Sequence, residues 1–343
     1  MGKERVAVAL SGGKDSTTAI LVLKKQGFDV LALTMAMGLR GEEERIGKIA
    51  LLAEVLEVPH RVVDVGKIFK EKVIDYFIHA YAAGLTPNPC VVCNNTIKFD
   101  LLMNHAFDQA QCDFYATGHY ADKVEIEGRF FLKEPLDWSK SQIYFLSLID
   151  SRCLERTLFP LAQLTLLQVR RQVSALPLAN RRESQEACFL EGRCLIDYLR
   201  EQMPGSFMDG DILDTAGKKI GTHHGAIHFT IGQRRGIEFS SSQRLYVVRK
   251  DMKNNTITLG QNRHLYSKQL FVKNPVFWRP LQPGEKLHVK VRYVCTFFEA
   301  VIESVAEDHI QARFSEPVRA VTPGQIAAFY DDDIIVAGGV IQE

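Results

Sequence analysis

The sequence lacks most of the extreme features that would assign a protein to a class at first sight. No apolar run in its 343 residues approaches the roughly 20 residues that a membrane-spanning helix needs, which predicts a protein without membrane segments. It has no internal repeat and no low-complexity segment, and a charged fraction of 24% is ordinary for a folded protein. The formal net charge is only +1, so any nucleic acid would have to bind a local basic patch.

The chain also lacks the marks of a secreted protein. The apolar stretch that ends at Leu10 is too short for a secretory signal and is followed at once by glycines. Its seven cysteines are an odd number in a chain large enough for a full hydrophobic core, which argues against a disulfide scaffold and for a reducing compartment. We therefore expect a cytoplasmic protein in which the spacing of the cysteines is more informative than their number.

The N-terminal part alternates between short apolar runs and segments of helical periodicity. The pattern predicts strands at 5–10, 30–35, 61–65 and 114–117 and helices at 15–26, 42–57, 67–81 and 97–110. Such alternation is typical of an α/β fold with a doubly wound parallel sheet, whose ligands bind beyond the carboxyl ends of the strands. A site is therefore expected near Leu10, Met35 and Thr117.

The pattern changes towards the C-terminus. A hairpin is predicted at 124–132, a helix at 139–148 and a capping box at Thr165 and Gln168. Beyond about residue 204, short alternating strands are separated by turn sequences, which favours small antiparallel barrels or sandwiches. A second boundary is expected between residues 262 and 274.

A glycine-rich hexapeptide lies between the first predicted strand and the first predicted helix. It reads Ser11-Gly12-Gly13-Lys14-Asp15-Ser16, and its glycines allow a tight turn. The amides of this turn, with the positive end of the helix dipole, form a cradle for phosphate. The hexapeptide is neither the G-x-x-x-x-G-K-[ST] loop that transfers a γ-phosphate nor the G-x-G-x-x-G loop that binds dinucleotides. A plain strand-to-helix turn, the alternative, would need only one glycine and an N-cap.

Three cysteines have an informative position. Thr-Pro-Asn-Pro at 86–89 restrains the chain before Cys90, and the C-x-x-C spacing lets Cys90 and Cys93 face one point. Cys188 lies far along the chain. Half of a zinc site and a buried apolar cysteine remain the alternatives, and no second C-x-x-C or H-x₃-H partner is evident. The remaining cysteines have no paired spacing and are interpreted as structural: Cys112, Cys153, Cys194 and Cys295.

These motifs occur in a recognisable order. The hexapeptide resembles the S-G-G-x-D-S loop of ATP pyrophosphatases, and nearly the whole chain resembles the bacterial tRNA uridine 2-sulfurtransferases, the 2-thiouridylases. The shared motifs include T-P-N-P-x-x-x-C-N (86–94), A-T-G-H-Y (116–120), S-Q-x-x-C-F (184–189) and V-T-P-G-Q (321–325). The resemblance implies a nucleotide-binding and catalytic domain at 1–203, a small central β domain at 204–265 and a C-terminal β-barrel at 266–343.

The resemblance also implies an activity, which is ATP-dependent conversion of a tRNA wobble uridine (position 34) to 2-thiouridine. ATP and Mg²⁺ are the implied cofactors, and tRNA and a sulfur donor, either a persulfide carrier protein or sulfide, are the implied partners. The residues implied to bind the nucleotide are Ala9, Leu10, Ser11, Gly12, Gly13, Lys14, Asp15, Ser16, Met35 and Gly118. Those implied to contact the tRNA are Asn88, Pro89, Cys90, His119, Lys140, Ser141, Gln142, Arg292, Tyr293 and Gln325.

Two cysteines receive chemical roles from the resemblance. Cys93 is implied to be the catalytic nucleophile and Cys188 the cysteine that carries persulfide sulfur. The C2 oxygen of the uridine would attack the α-phosphate of ATP, and sulfur would then displace AMP. Lys98 and the positive end of a helix starting near Ile97 are expected to lower the pKa of the Cys93 thiol.

Four departures from the family lie near the chemistry, and one of them is a shorter segment at 36–44. Cys90 and Ser141 stand where the family usually has Asp, and Lys14 stands where it usually has Val. Cys90 adds a third thiol, so a [4Fe-4S] cluster held by Cys90, Cys93 and Cys188, with sulfide as the fourth ligand, is an alternative to a persulfide relay.

Two other function classes stay open. The first is ATP-dependent adenylation of, or sulfur insertion into, another nucleobase or a small molecule, of which the small-molecule version would need neither the β domains nor RNA. The second is an RNA-binding or sulfur-carrier protein without turnover, which the departures at Cys90 and Ser141 favour.

Overall fold

The computed structural model of the protein describes residues 2–176, 186–237 and 239–342. The chain divides into two compact units. The first unit comprises Met1–Ile74, Cys90–Phe189 and Asp333–Val336, and the second comprises Asp75–Pro89, Leu190–Asp332 and Ala337–Glu343. No helix within the described ranges is long and apolar enough to cross a membrane.

The helices and strands have the following bounds. The α-helices of the described chain are α1 (Lys14–Gln26), α2 (Glu42–Val55), α3 (Gly66–Phe69), α4 (Asp75–Ala82), α5 (Pro89–Cys93), α6 (Leu166–Gln172) and α7 (Leu195–Gln202). The strands are β1 (Arg5–Ala9), β2 (Asp29–Ala36), β3 (His60–Asp64), β4 (Phe114–Ala116), β5 (Asp122–Ile126), β6 (Arg129–Lys133), β7 (Thr157–Leu158), β8 (Gly210–Leu213), β9 (Lys219–His223), β10 (Tyr246–Asp251), β11 (Thr256–Gly260), β12 (Tyr266–Phe277), β13 (Lys286–Lys290), β14 (Phe298–Val305), β15 (His309–Arg319), β16 (Ile326–Asp331) and β17 (Ile334–Gln342).

The first unit is built on a parallel sheet, which confirms the predicted α/β fold. Its strand order is β3-β2-β1-β4-β7, and all four pairings are parallel. Val8 of β1 pairs with Ala32 on one side and with Ala116 on the other, so the three strands end at the same edge. The chain passes from β1 to β2 on one side while β4 lies on the other side, which opens a crevice between the ends of β1 and β4.

Helices α1 and α6 share the apolar core of this sheet. Ile20 and Leu23 of α1 pack in one cluster with Val8 of β1 and Val169 of α6. The predicted capping box is confirmed, because the side chains of Thr165 and Gln168 accept hydrogen bonds from each other's backbone amide at the start of α6. The capping box fixes the first residue of α6, and burial of Val169 fixes the face of α6 that packs against α1.

The helix predicted at 97–110 begins earlier than expected. Pro89 starts α5, and this helix continues directly into the π-helical turns Asn94–Leu102. Proline suits the first helical position because its φ is already helical and the missing N–H has no role there. Cys93 therefore lies inside a helix, and the predicted influence of a helix N-terminus near Ile97 on its thiol is wrong.

The helix predicted at 139–148 is also wrong. The segment forms two 3₁₀ turns, Trp138–Lys140 and Ile143–Leu146. The Gln142 amide donates to the Tyr120 carbonyl at 2.8 Å, and the Gln142 side-chain oxygen accepts from the Tyr120 amide at 2.9 Å. Because these bonds tie Gln142 to the end of the A-T-G-H-Y motif, a continuous helix is interrupted there.

The second unit contains a four-stranded sheet and a barrel. The sheet has the order β10-β11-β8-β9, and its β11–β8 pair is parallel, so the prediction of purely antiparallel strands is wrong for this pair. Six strands form the predicted C-terminal barrel in the order β12-β15-β14-β13-β16-β17, and β17 pairs back to β12. At this seam Gly339 faces Val272, with an irregular register between Lys273 and Val276.

Because the barrel closes at this seam, we expect one methyl group added at Gly339 to destabilise the second unit. A Cβ at Gly339 would lie 2.4 Å from Val272 Cγ1 and 3.0 Å from the Lys273 carbonyl oxygen. We expect Gly339→Ala to lower the free energy of unfolding of the second unit by about 2 kcal/mol or more, because an overpacked strand must shift. Gly205→Ala, whose Cβ meets nothing within 4 Å, is the control. Urea denaturation of both variants measures this, and equal midpoints would contradict it.

Candidate active site

The predicted phosphate loop closes on itself through its two serines. Ser11 Oγ and Ser16 Oγ lie 3.2 Å apart, and the Ser11 amide donates to Ser16 Oγ at 3.3 Å. Ser16 Oγ also donates to the Gly13 carbonyl at 3.1 Å, while Gly12 takes a left-handed φ of 76°. The first amides of a helix have no acceptor within that helix, so the turn presents donors at the start of α1.

The end of β4 lies directly against this turn. A Cβ at Gly118 would fall 2.6 Å from the Ser16 amide nitrogen and 2.7 Å from the Asp15 carbonyl carbon. Both of these are backbone atoms, so no side-chain rotation relieves the contact. Only glycine therefore lets the A-T-G-H-Y motif reach the phosphate loop.

The crevice between β1 and β4 is a cleft of about 220 Å³ in the first unit. Eleven of its lining residues are sequence-predicted: Ala9, Leu10, Ser11, Asp15, Ser16, Met35, Lys98, Thr117, Gly118, His119 and Gln142. Gly12, Gly13 and Lys14 belong to the loop and to the start of α1 but do not line the cleft. Lys140 and Ser141 lie in the segment that Gln142 anchors to Tyr120, also outside the lining.

Sequence reasoning missed part of the lining, namely Leu33, Met37, Arg45 and Leu102. Arg45 donates to the Met35 carbonyl at 2.8 Å and to Glu42 Oε1 at 2.9 Å. Glu42 in turn accepts from the amides of Met37 and Gly38 at 2.7 Å. The Glu42–Arg45 spacing on a helix was the available signal, since residues three apart share one face.

The Asp15 carboxylate is the acidic group of the cleft. The Tyr120 hydroxyl donates to Asp15 Oδ1 at 3.3 Å. Burial raises the pKa of Asp15 although Lys14, Tyr120 and Lys140 oppose the shift. A carboxylate that is destabilised by burial gains from a cation beside it, and Mg²⁺ is commonly held by one or two carboxylates together with substrate phosphates. Asp15 therefore fits the predicted magnesium.

His119 is buried at the cleft wall. Its Nδ1 lies 2.8 Å from Thr117 Oγ1, and its ring lies beside that of Phe99. Burial, followed by the charge of Lys98, holds the pKa of His119 well below its ordinary value. The imidazole is therefore neutral at pH 7 and offers hydrogen bonds rather than charge.

The three candidate thiols act on one another in the first unit. All three cysteines are free, Cys93 is buried, and Cys90 and Cys188 keep solvent-accessible surface. Burial raises the pKa of all three thiols, that of Cys93 to about 12. The charge of Lys98, which also lines the nucleotide cleft, lowers the pKa of each. Lys98 is thus the side chain that links the cleft with the thiols.

Known proteins match the chain along its whole length. Residues 4–192 match the family model of the tRNA methyl transferase HUP domain, 196–261 that of the tRNA methyl transferase PRC-barrel domain and 267–341 that of the aminomethyltransferase beta-barrel domain. The tRNA-specific 2-thiouridylase MnmA 2 of a Thermoanaerobacter species is 39% identical over 98% of each chain. The MnmA proteins of Aquifex aeolicus and Clostridioides difficile are 38% and 36% identical, over 99% of this chain and 99% and 98% of theirs.

The chain belongs to the tRNA-specific 2-thiouridylase family. This confirms the resemblance drawn from the motifs. The roles of individual residues in this 2-thiouridylase stay predictions, which the geometry supports to different degrees.

The three thiols of this 2-thiouridylase do not form a ready metal site. Within residues 2–176, 186–237 and 239–342, no group of three His, Cys, Asp or Glu side chains is placed to hold a metal ion. All three cysteines fall within these ranges, whereas Ser184 and Gln185 of their motif lie outside them. In this geometry the thiols do not fit the [4Fe-4S] cluster that Cys90 suggested.

Some residues implied to contact tRNA belong to the second unit. Gln325 Nε2 donates to the Thr86 carbonyl at 2.8 Å, and the Thr86 amide donates to the Pro323 carbonyl at 2.9 Å. The V-T-P-G-Q turn of the barrel thus binds the proline-rich loop that carries Asn88 and Pro89. Arg292 and Tyr293 lie on the segment between β13 and β14.

The close contact at Gly118 predicts that a single methyl group abolishes nucleotide binding. We expect Gly118→Ala to weaken ATP binding by roughly 100-fold or more, because the added Cβ must displace the backbone of Asp15 and Ser16. Calorimetric titration with ATP measures the effect. Gly47→Ala, on α2 with open space around its Cβ, is the control and should bind ATP like the wild type. Unchanged ATP binding by Gly118→Ala would contradict the assignment of the cleft.

The position of Lys98 predicts the pH dependence of thiol reactivity. Lys98→Gln removes the charge that lowers the pKa of Cys90 and Cys188, so both pKa values rise and the thiolate fraction at pH 8 falls. Iodoacetamide should then alkylate both cysteines about three- to tenfold more slowly, with profiles displaced to higher pH. Peptide mass spectrometry follows each site, and Lys67→Gln, an exposed lysine of α3, is the control. Identical profiles for the two variants would refute the role of Lys98.

Proposed function

We propose that this protein uses ATP to convert the wobble uridine of tRNA (position 34) to 2-thiouridine. Family membership makes it a tRNA uridine sulfurtransferase. The observation that carries the ATP-dependent mechanism is the position of Lys98, which lines the nucleotide cleft and acts electrostatically on Cys90, Cys93 and Cys188. Activation at the cleft and sulfur transfer at the thiols thereby belong to one site.

The first step activates the uridine. Its C2 oxygen attacks the α-phosphate of ATP, an O–P bond forms, and pyrophosphate leaves with the electrons of the broken P–O bond. The phosphate loop at the start of α1 holds the triphosphate, and Asp15 would hold the magnesium that neutralises part of its charge. The neutral His119 offers hydrogen bonds at the cleft wall. The adenylated oxygen becomes a leaving group, which makes C2 open to a sulfur nucleophile.

The second step delivers sulfur. Cys188, which keeps solvent-accessible surface, carries the persulfide loaded by an external donor. The Cys93 sulfur attacks Cys188 Sγ, a Cys93–Cys188 disulfide forms, and hydrosulfide is released. Hydrosulfide adds to C2, and AMP leaves with the electrons of the C–O bond. An external thiol reductant supplies two electrons that restore both cysteines.

The raised pKa of Cys93 places a condition on this step. A thiol with a pKa of about 12 is almost fully protonated at pH 7, so Cys93 is inert in the free protein. Cys93 must therefore lose its proton only after substrates change its surroundings. This order protects the persulfide from discharge before an activated uridine is present.

The tRNA and the sulfur donor complete the proposal. A stacked anticodon base has to leave the stack to reach a buried site, and phosphate contacts supply most of the affinity. Lys140, Arg292 and Tyr293 are the proposed tRNA contacts. A cytoplasmic location and a persulfide carrier protein as donor follow from the same proposal.

Reconstitution with purified components tests the reaction and the sulfur route together. The protein, an unmodified tRNA transcript, ATP–Mg²⁺ and a persulfide donor should yield 2-thiouridine, AMP and pyrophosphate, measured by nucleoside mass spectrometry. Cys93→Ser and Cys188→Ser should lower the yield by roughly 100-fold or more because each removes a reacting sulfur. Cys90→Ser and the exposed control Cys194→Ser should stay within about twofold of the wild type.

Other outcomes would redirect the assignment. Loss of activity in Cys90→Ser, together with iron and sulfide in anaerobically purified protein, would replace the relay by the cluster. A different thionucleoside in the product would change the target base. ATP–pyrophosphate exchange that is indifferent to tRNA would favour a small-molecule substrate, and no turnover with any tRNA would favour a carrier protein.

A further inference from the structure

Three cations gather beside the phosphate loop, and one of them lies outside every motif. Lys14 is the first residue of α1, Lys140 belongs to the 3₁₀ turn Trp138–Lys140, and Arg170 belongs to α6. The charges of Arg170 and Lys140 both act on Lys14, and that of Arg170 also acts on Tyr120. Tyr120 is the residue that donates to Asp15 in the cleft. Arg170 does not line the cleft itself, but it lies on a helix that packs against α1 and within electrostatic range of the phosphate loop.

The backbone of Arg170 is held firmly. Besides the capping box at Thr165, the Leu166 amide donates to Asp137 Oδ2 at 2.9 Å, which ties the start of α6 to the segment that carries Lys140. The preceding residue, Val169, is fully buried in the core shared with α1. The backbone of Arg170 is thus fixed against α1 and the 137–140 segment, while its side chain is exposed.

The guanidinium of Arg170 has no acceptor within the described chain. It forms no hydrogen bond and no ion pair with any residue of 2–176, 186–237 or 239–342. It is placed near Lys14 instead, where two like charges repel and, after burial and the opposing charge of Asp15, contribute to the lowered pKa of the lysine. Arrangements of this kind are unfavourable in the free protein and become favourable when a polyanion binds between the cations.

We propose that Arg170 is a substrate-binding residue that contacts the β- and γ-phosphates of ATP and retains the pyrophosphate product. The planar guanidinium matches phosphate oxygens with two parallel hydrogen bonds, and Lys14 adds a point charge from the start of α1. The inference rests on the proposed function in so far as that function makes the cleft an ATP site. The proposal adds Arg170 of α6 to the residues of the phosphate loop. It assigns Arg170 to the triphosphate end of the site, apart from the end that binds adenosine.

The separation of the two ends gives a direct test. We expect Arg170→Gln to weaken binding of magnesium pyrophosphate and of ATP by about tenfold or more, because a charge-assisted contact is lost. Binding of AMP, which lacks both outer phosphates, should stay within about twofold of the wild type. Arg170→Lys should recover part of the pyrophosphate affinity, because it restores the positive charge but not the two parallel hydrogen bonds of the guanidinium. Calorimetric titration of the full chain with each ligand measures these constants without tRNA or sulfur.

Arg171→Gln is the matched control, because this arginine is the next exposed residue of the same helix. Equal pyrophosphate affinity in Arg170→Gln and Arg171→Gln would overturn the inference, and so would an equal loss of AMP and pyrophosphate binding in Arg170→Gln. Neither result affects the proposed function, which the thiolation assay tests separately in the wild type. A wild type that binds neither ATP nor pyrophosphate would refute both proposals.

Discussion

The site of the first unit depends on one steric constraint, the absence of a side chain at Gly118. Because the end of β4 touches the backbone of Asp15 and Ser16, the residues after Gly118 are carried to the phosphate loop. Tyr120 reaches the Asp15 carboxylate, and its backbone binds Gln142, which in turn shapes the turns around Lys140. The close approach is thus propagated through hydrogen bonds to the segments of Asp15 and Gln142, which both line the cleft.

A second balance, between burial and the charge of Lys98, sets the pKa of the three thiols. Lys98 favours the thiolate of each cysteine, but burial wins and leaves the pKa of Cys93 at about 12. A pKa five units above pH 7 leaves about one Cys93 thiolate in 10⁵ molecules at that pH. Cys93, the proposed nucleophile, is therefore protonated in the free protein, which would protect the proposed persulfide from loss to other thiols.

Local patterns predicted the fold well where one interaction dominated. The apolar run of β1 and the capping box of α6 each appear as expected, since burial and an N-cap are encoded within a few residues. The start of α5 and the 3₁₀ turns near Gln142 could not be predicted, because Pro89 and the Tyr120–Gln142 bonds override periodicity. The same limit hid Arg45, because its spacing from Glu42 shows that both share a helix face but not that this face turns to the end of β2.

The three substitutions that the resemblance indicated, at Lys14, Cys90 and Ser141, each add a positive charge or remove a negative one. Lys14 adds a positive charge at the phosphate loop, and Ser141 replaces a usual carboxylate next to Lys140, whose charge acts on Lys14. Because Ser141 is buried, a carboxylate there would be costly and would also attract the cations away from a bound phosphate. Cys90 likewise replaces a usual carboxylate among the thiols, where a fixed negative charge would oppose formation of a thiolate at Cys93. All three changes therefore make the first unit more favourable to anions, which in the proposed function are the triphosphate and the reacting sulfur.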